Sequence, residues 1–290
     1  MFKGSLIPIV TPFKEGKIDE EGFRSLIEFH ITNGTDAIVP CGTTGESATL
    51  THGEHEQLID LCLEAVDHRV PVIAGTGSNS TAEAIKLTTY AKKAGADGAL
   101  LITPYYNKPT QEGLYNHYKA IAEAIDLPLI LYNVPSRTGV NMLPETVARL
   151  SEIPTIVGVK EATGSLQQIC DIIHLCGDKC SVFSGDDFTN YPILAVGGKG
   201  IISVTANIMP DKIAAMWDTF ESGDFDKSRE IHYQLLDLHN SMFLETNPIP
   251  VKTALGLMGK ISHEMRAPLS PITRNNLEKL KKVMVKYKLI

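Results

Sequence analysis

The sequence predicts an α/β protein, a (β/α)8 TIM barrel with a C-terminal helical appendage, and three observations carry that prediction. First, short apolar runs rich in β-branched residues recur at Leu6–Val10, Ala37–Val39, Val70–Ala74, Gly98–Ile102, Leu129–Tyr132, Ile156–Lys160, Ser181–Ser184 and Gly200–Val204. Second, these runs lack the alternation of a half-wet antiparallel sheet, as strands covered on both faces do. Third, most of them begin about 30 residues after the one before, with helix-period segments between, which is the length of a βαβ unit. Eight such units suit a closed barrel better than an open sheet.

Each element has its own signals. Pro8 is awkward inside the first run, because proline cannot donate to a ladder. Thr51-His52-Gly53-Glu54 and Ser80-Thr81-Ala82-Glu83 both fit the capping box that opens a helix, and Leu58, Leu61 and Ala65, then Ile85, Thr89 and Ala91, give inward stripes. Two helix exits repeat, at Asn33-Gly34 and Ala94-Gly95, where glycine suits the left-handed residue before the next strand. After the eighth run a helical pattern extends from Pro210 to Phe220 and ends at Gly223. Beyond it the strand signal stops, and Ser228–Phe243, Val251–Met258 and Arg274–Lys286 read as helices. The expected division is therefore a catalytic barrel over 1–224 and a helical domain over 225–290. The lysines of the last helix (Lys279, Lys281, Lys282, Lys286 and Lys288) are expected to be solvated near a helix C-terminus.

Composition narrows the function classes. Asp and Glu total 34 against 27 Lys and Arg, a formal charge of -7, where a nucleic-acid binder needs a basic excess. The longest apolar runs, such as Gly98–Ile102 and Leu127–Leu131, fall far short of a membrane span, and no signal-peptide pattern follows Met1, so the cytosol is expected. Five cysteines (Cys41, Cys62, Cys170, Cys176 and Cys180) form no CxxC pair, which argues against a zinc ribbon or disulfide framework. Gly75-Thr76-Gly77 hints at a dinucleotide fingerprint, but the third glycine is Ser80 and Asp97 sits in a turn before a strand. His52 and His55 lack companions for a metal site, and there is neither a P-loop nor a Gly-x-Ser-x-Gly elbow. No cofactor is expected.

Barrel chemistry is carried by the C-terminal ends of strands and the loops after them. That rule selects Gly42-Thr43-Thr44-Gly45-Glu46, Thr103-Pro104-Tyr105-Tyr106, Tyr132 through Gly139, Lys160-Glu161-Ala162 and Gly185-Asp186-Asp187. Lys160 is the informative residue, since an apolar strand carries its amine to the rim of a crowded interior. An ordinary lysine keeps roughly one free amine in a few thousand at pH 7. Desolvation and cationic neighbours raise that fraction and yield a nucleophile able to form an imine with a ketone. A strand-end lysine snorkelling to water is the bland alternative, and the companions tip the balance. Tyr132 ends the adjacent strand and offers a phenol for proton transfer. The amides of the Gly42–Glu46 turn suit a carboxylate, the Thr43 hydroxyl a proton relay, and Arg137 a bidentate grip on a second carboxylate.

Taken together, Gly42-Thr43-Thr44-Gly45-Glu46, Tyr132-Asn133-Val134-Pro135-Ser136-Arg137-Thr138-Gly139 and Gly158-Val159-Lys160-Glu161-Ala162 resemble the pyruvate-dependent class I aldolase superfamily, and within it the dihydrodipicolinate synthase family. The resemblance runs from Gly4 to the helical tail. It implies an imine between Lys160 and pyruvate, whose enamine attacks L-aspartate 4-semialdehyde on the route to diaminopimelate and lysine. It implies a proton relay of Tyr132, Thr43 and Tyr106, the last reaching into a neighbouring subunit across a tight dimer, with dimers often paired into tetramers. Thr43 and Thr44 amides would hold the pyruvate carboxylate and Arg137 that of the semialdehyde, with Gly185 and Ile202 lining the pyruvate pocket. Ser47, Ala48, His52, His55, Asn79, Glu83 and Tyr105 match the positions that bind inhibitory L-lysine in regulated members. N-acetylneuraminate lyases and 2-keto-3-deoxy-sugar-acid aldolases share the lysine and the barrel, and the Ser136-Arg137-Thr138-Gly139 loop favours the synthase. A non-catalytic 2-oxo-acid-binding barrel would be expected to lose Lys160, Tyr132 or Thr43, and all three are present.

Overall fold

A computed structural model describes residues 2–290 of the chain. Eight parallel strands form the barrel: β1 (Gly4–Pro8), β2 (Ala37–Val39), β3 (Ile73–Gly75), β4 (Gly98–Ile102), β5 (Leu129–Asn133), β6 (Ile156–Glu161), β7 (Ser181–Ser184) and β8 (Gly200–Ile202). Each pairs with its sequence neighbours, β1 pairs with β8, and a parallel bridge between Ile38 and Val72 joins β2 to β3. The expected α/β barrel is what the chain forms.

Two sets of side chains follow from the strand period of two. Leu6, Val39, Ile73, Leu100, Ile130, Tyr132, Phe183 and Ile202 pack in one inner cluster. Leu129, Leu131, Val159 and Val182 belong instead to an outer cluster with helical residues such as Tyr118 and Ile172. A strand facing apolar neighbours on both sides has no polar face to show, which is why alternation was absent from the sequence.

Boundaries moved where hydropathy was a poor guide. β1 begins two residues earlier than its apolar run, because Gly4 pairs with Gly200 and the Ser5 amide donates to Asp36 (2.7 Å). Pro8 is tolerated because it ends the strand, and its carbonyl accepts from the Asn207 amide side chain (3.1 Å). Val70-Pro71 precedes β3 rather than starting it, and Ser203-Val204 leads into a short turn at Thr205–Asn207. A two-stranded hairpin, Phe13–Lys14 with Lys17–Ile18, had no counterpart in the sequence reading.

The box at Thr51 forms in both directions and opens the helix His52–Val66. The second box forms by half. Ser80 accepts from the Glu83 amide, whereas the Glu83 carboxylate turns away to His52 and Ser78. The buried face of that helix (Thr81–Ala94) is Ala84, Leu87, Thr88 and Ala91, rotated from the stripe expected through Ile85 and Thr89. Gly34 and Gly95 adopt φ of 84° and 104°, the left-handed region that the turns need. Asp97 accepts from the Val72 amide (2.8 Å), a structural bond that accounts for it without a nucleotide.

The tail consists of helices Phe225–Ser241, Ile249–Leu257 and Arg274–Lys286. Leu235, Leu238, Met242, Leu255, Leu280 and Met284 share one core cluster with Ile9, Ile38 and Met216 of the barrel. This packing brings the loop Thr246-Asn247-Pro248 over the C-terminal ends of the strands. Among the described residues no helix is long and apolar enough to cross a membrane.

Candidate active site

Register decides which way the lysine points. Lys160 of β6 lies beside Tyr132 of β5, and parallel partners in register face the same side. Tyr132 belongs to the inner cluster, so Lys160 projects into the barrel, while its neighbour Glu161 faces outward to Asn133 (3.0 Å) and Gln168 (3.3 Å). The Lys160 Nζ sits 4.2 Å from the centroid of the Tyr132 ring, and the residue is only 5% exposed. Gly185, just past β7, makes room for this side chain. A Cβ there would stand 2.9 Å from Lys160 Cγ and 3.0 Å from Cε.

The electrostatics follow from burial. Desolvation pulls the Lys160 amine from 10.5 down to about 7, with Arg137 adding to the fall and Asp187 opposing it. The free base, scarce in an ordinary lysine, is therefore abundant at neutral pH. Burial pushes the Tyr132 phenol up to about 12, while Arg137 and a hydrogen bond with Thr43 work the other way. Tyr132 thus keeps its proton near neutrality and can donate it.

The cavity at this end of the barrel has a volume of about 500 Å³. Gly42, Thr43, Tyr132 and Arg137 line it, together with Ser47, Ala48, His52, His55, Glu83 and Tyr105. Lys160 is not itself on the wall, its Nζ lying over the face of the lining Tyr132 ring, and Ile202 packs with Tyr132 in the inner cluster. Thr44 is buried, and its hydroxyl accepts from the Asn247 side-chain amide (3.0 Å). Arg137 donates to the Asn247 carbonyl (2.9 Å). Asn79 stands beside the cavity and donates to the Tyr105 carbonyl (3.2 Å). Tyr106 is the exception: it is not among the lining residues and is 89% exposed, with a left-handed φ of 72°.

The histidines are engaged individually. His52 pairs with Glu83 at 2.9 Å, and His55 Nε2 donates to the Gly75 carbonyl at 2.7 Å. Burial lowers the His55 pKa, so the ring is neutral near pH 7, with Nδ1 left as an acceptor that has no partner among the described residues. Hydrogen bonds from Ser78 and His52 hold Glu83 below the usual carboxylate range.

Asn247 is the residue that the sequence motifs did not reveal. It touches both Thr44 and Arg137 from a loop between two tail helices, and its side-chain oxygen is buried without a partner among the described residues. The only local signal was a polar Thr-Asn-Pro interruption between helical stretches.

A desolvated lysine amine at the rim of a (β/α)8 barrel, with a phenol against it, defines the class: a Schiff-base-forming lyase. The chain matches the model of the dihydrodipicolinate synthetase family over residues 1–287 and belongs to that family. A relative from Geotalea uraniireducens, named 4-hydroxy-tetrahydrodipicolinate synthase, is 63% identical over 290 residues, covering all of both chains. Among solved structures, the chloride-inhibited dihydrodipicolinate synthase of Acinetobacter baumannii, complexed with pyruvate, is 48% identical with a TM-score of 0.98, covering 100% of both chains. The enzyme of Cyanidioschyzon merolae with lysine bound is 42% identical with a TM-score of 0.97, covering 100% of this chain and 99% of that one.

Proposed function

We propose that this enzyme condenses pyruvate with L-aspartate 4-semialdehyde, in the diaminopimelate route to lysine, and is inhibited by L-lysine. The observation that carries the reading is the inward Lys160 amine, 5% exposed and 4.2 Å from the Tyr132 ring centroid. The amine adds to C2 of pyruvate, and the resulting hydroxyl leaves as water once protonated, giving the imine. Loss of a C3 proton yields the enamine, whose C3 bonds to the aldehyde carbon of the semialdehyde. Attack by that substrate's own amino group on the imine carbon closes the ring and frees Lys160. Tyr132, Thr43 and a partner subunit's copy of Tyr106 would carry the protons.

The amides of Thr43 and Thr44 would hold the pyruvate carboxylate, with Gly185 and Ile202 shaping the space around it. Arg137 would take the carboxylate of the semialdehyde. Its side chain lines the cavity and is steadied by Asn247, which supports that role. A charge-assisted pair of this kind contributes about 1.5–3 kcal/mol. Arg137→Ala is therefore expected to raise KM for the semialdehyde about 10–100-fold. Imine formation with pyruvate should persist, and steady-state kinetics with each substrate varied in turn checks both halves.

Free L-lysine would bind among Ser47, Ala48, His52, His55, Asn79, Glu83 and Tyr105. Support comes from Glu83, whose carboxylate is held below the usual range beside the cavity that His52, His55 and Tyr105 also line, and which complements an ammonium group. Glu83→Gln is expected to raise the lysine concentration for half-inhibition about tenfold, equivalent to one charge-assisted hydrogen bond. A rate for the unsubstituted enzyme that stays constant up to millimolar lysine would remove this part of the proposal. The exposed Tyr106 is consistent with a second subunit docking on this face in a tight dimer, and the proposal extends to dimers pairing into a tetramer. The proposed division of labour is a catalytic barrel over 1–224 and a helical domain over 225–290 that roofs it.

A further inference from the structure

Glu46 and Lys252 form an ion pair 206 residues apart, at 2.5 Å, with side chains 1% and 0% exposed. Desolvating two ions is costly, and an apolar pair of similar size is often as stable or more so. Neither residue is used by the chemistry proposed above, so core packing alone is a poor reason for the pair. Its surroundings suggest a better one.

Glu46 ends the turn that begins at Gly42, and it does so in the left-handed region, with φ of 54°. A glutamate there must be held by its side chain, since its Cβ disfavours that conformation. One carboxylate oxygen takes Lys252 and the other accepts the Arg266 backbone amide (3.0 Å). Lys252 Nζ and the Arg266 guanidinium carbon each lie 4.3 Å from the centroid of the Phe13 ring. Arg266 also reaches Glu54 (2.5 Å) and the carbonyls of Thr49 (3.1 Å) and Gly16 (3.0 Å). The front of the same turn is fixed by two further bonds, Thr11 to the Gly45 carbonyl (2.7 Å) and Asn247 to Thr44 (3.0 Å).

We infer that Glu46 and Lys252 are positioning residues, a buried latch through which the helical tail sets the Thr43 and Thr44 amides to receive the pyruvate carboxylate. The inference rests on the proposed role of that turn. An ion pair suits the task because it has one low-energy arrangement, whereas an apolar pair fills the same space in several. Hydrogen bonds to a carboxylate weaken steeply with misalignment, so a small drift of the turn costs affinity. The carboxylate contact is present before and during reaction, so its loss acts on KM more than on kcat.

The test compares the unsubstituted enzyme with the double variant Glu46→Leu/Lys252→Met, which exchanges the pair for apolar side chains. Melting temperature is measured together with the pyruvate dependence of turnover and of borohydride trapping. The expected result is a folded protein with a somewhat lower melting temperature, since leucine at position 46 keeps the left-handed backbone without an anchor and leaves the Arg266 amide without its acceptor. KM and half-saturation of trapping are both expected to rise about tenfold, with kcat falling far less. Should the double variant fail to fold, Glu46→Gln preserves the shape and the acceptor for Arg266, and about a threefold rise is expected. Unchanged half-saturation in whichever variant folds would overturn the latch and leave a purely structural pair. Absence of trapping in the unsubstituted enzyme would instead refute the reading of the site itself, which separates the two failures.

Discussion

Lys160→Met is expected to lower turnover by about 10⁴-fold or more, because no lysine on the cavity wall could replace its amine in the covalent step. The same substitution is expected to raise stability below neutral pH. Burial lowers the Lys160 amine from 10.5 to about 7, so below pH 7 the folded protein bears the full cost of an ammonium kept from water. Between pH 7 and 10.5 the unfolded chain holds a proton that the folded one has released, so stability of the unsubstituted enzyme rises with pH across that window. Methionine removes the charge and keeps most of the volume. Its advantage should be greatest at pH 6 and shrink steadily toward pH 10, which thermal melts at several pH values will read directly. Activity of the unsubstituted enzyme should show the matching acid limb, with a midpoint near 7 where the free amine appears. A stability gain that did not depend on pH would mean that the amine is not desolvated in the folded protein.

Tyr132→Phe is the second large effect, and it isolates proton transfer from packing. The ring remains to fill the inner cluster and to face the lysine, and only the phenol is lost. With its pKa pushed up to about 12 by burial, that phenol is a proton donor near neutrality and receives its own support from Thr43. Removing a positioned general acid costs about 10²–10⁴-fold. The loss should fall on kcat, with KM for both substrates changing little and the melting temperature within a few degrees. Trapping of pyruvate should still occur, only more slowly, since Lys160 is intact. A variant with kcat within about tenfold of the starting enzyme would assign the relay elsewhere.

How much of this was legible in the sequence depends on range. The eight strands were visible because burial on both faces writes uninterrupted apolar runs, and Lys160 stood out because it ends one of them. The inward direction of Lys160 needed only its register against Tyr132, a property of neighbouring strands. Strand starts were less legible. Gly4 and Ser5 are polar or small yet pair in β1, since a ladder is made by backbone and not by hydropathy. Local grammar also misled at Glu83, where a helix-start pattern predicted a bond to Ser80 and tertiary contacts with His52 and Ser78 claimed the carboxylate instead. The tail's part in the site was invisible. Asn247 reaches Thr44 across 203 residues and Lys252 reaches Glu46 across 206, and neither carries a periodic or local pattern that ties it to the distant turn. Side chains that act through long-range contacts are found by folding the chain, because only the fold brings them together.

The central claim is that one nitrogen becomes covalently attached to the ketone carbon of pyruvate. Reducing the folded enzyme with borohydride in the presence of pyruvate, followed by mass mapping of its peptides, tests that claim directly. The added mass should fall on the peptide containing Lys160 and disappear in Lys160→Ala. An enzyme that turns over under these conditions with Lys160 unmodified, or with the addition on another lysine, would contradict the account.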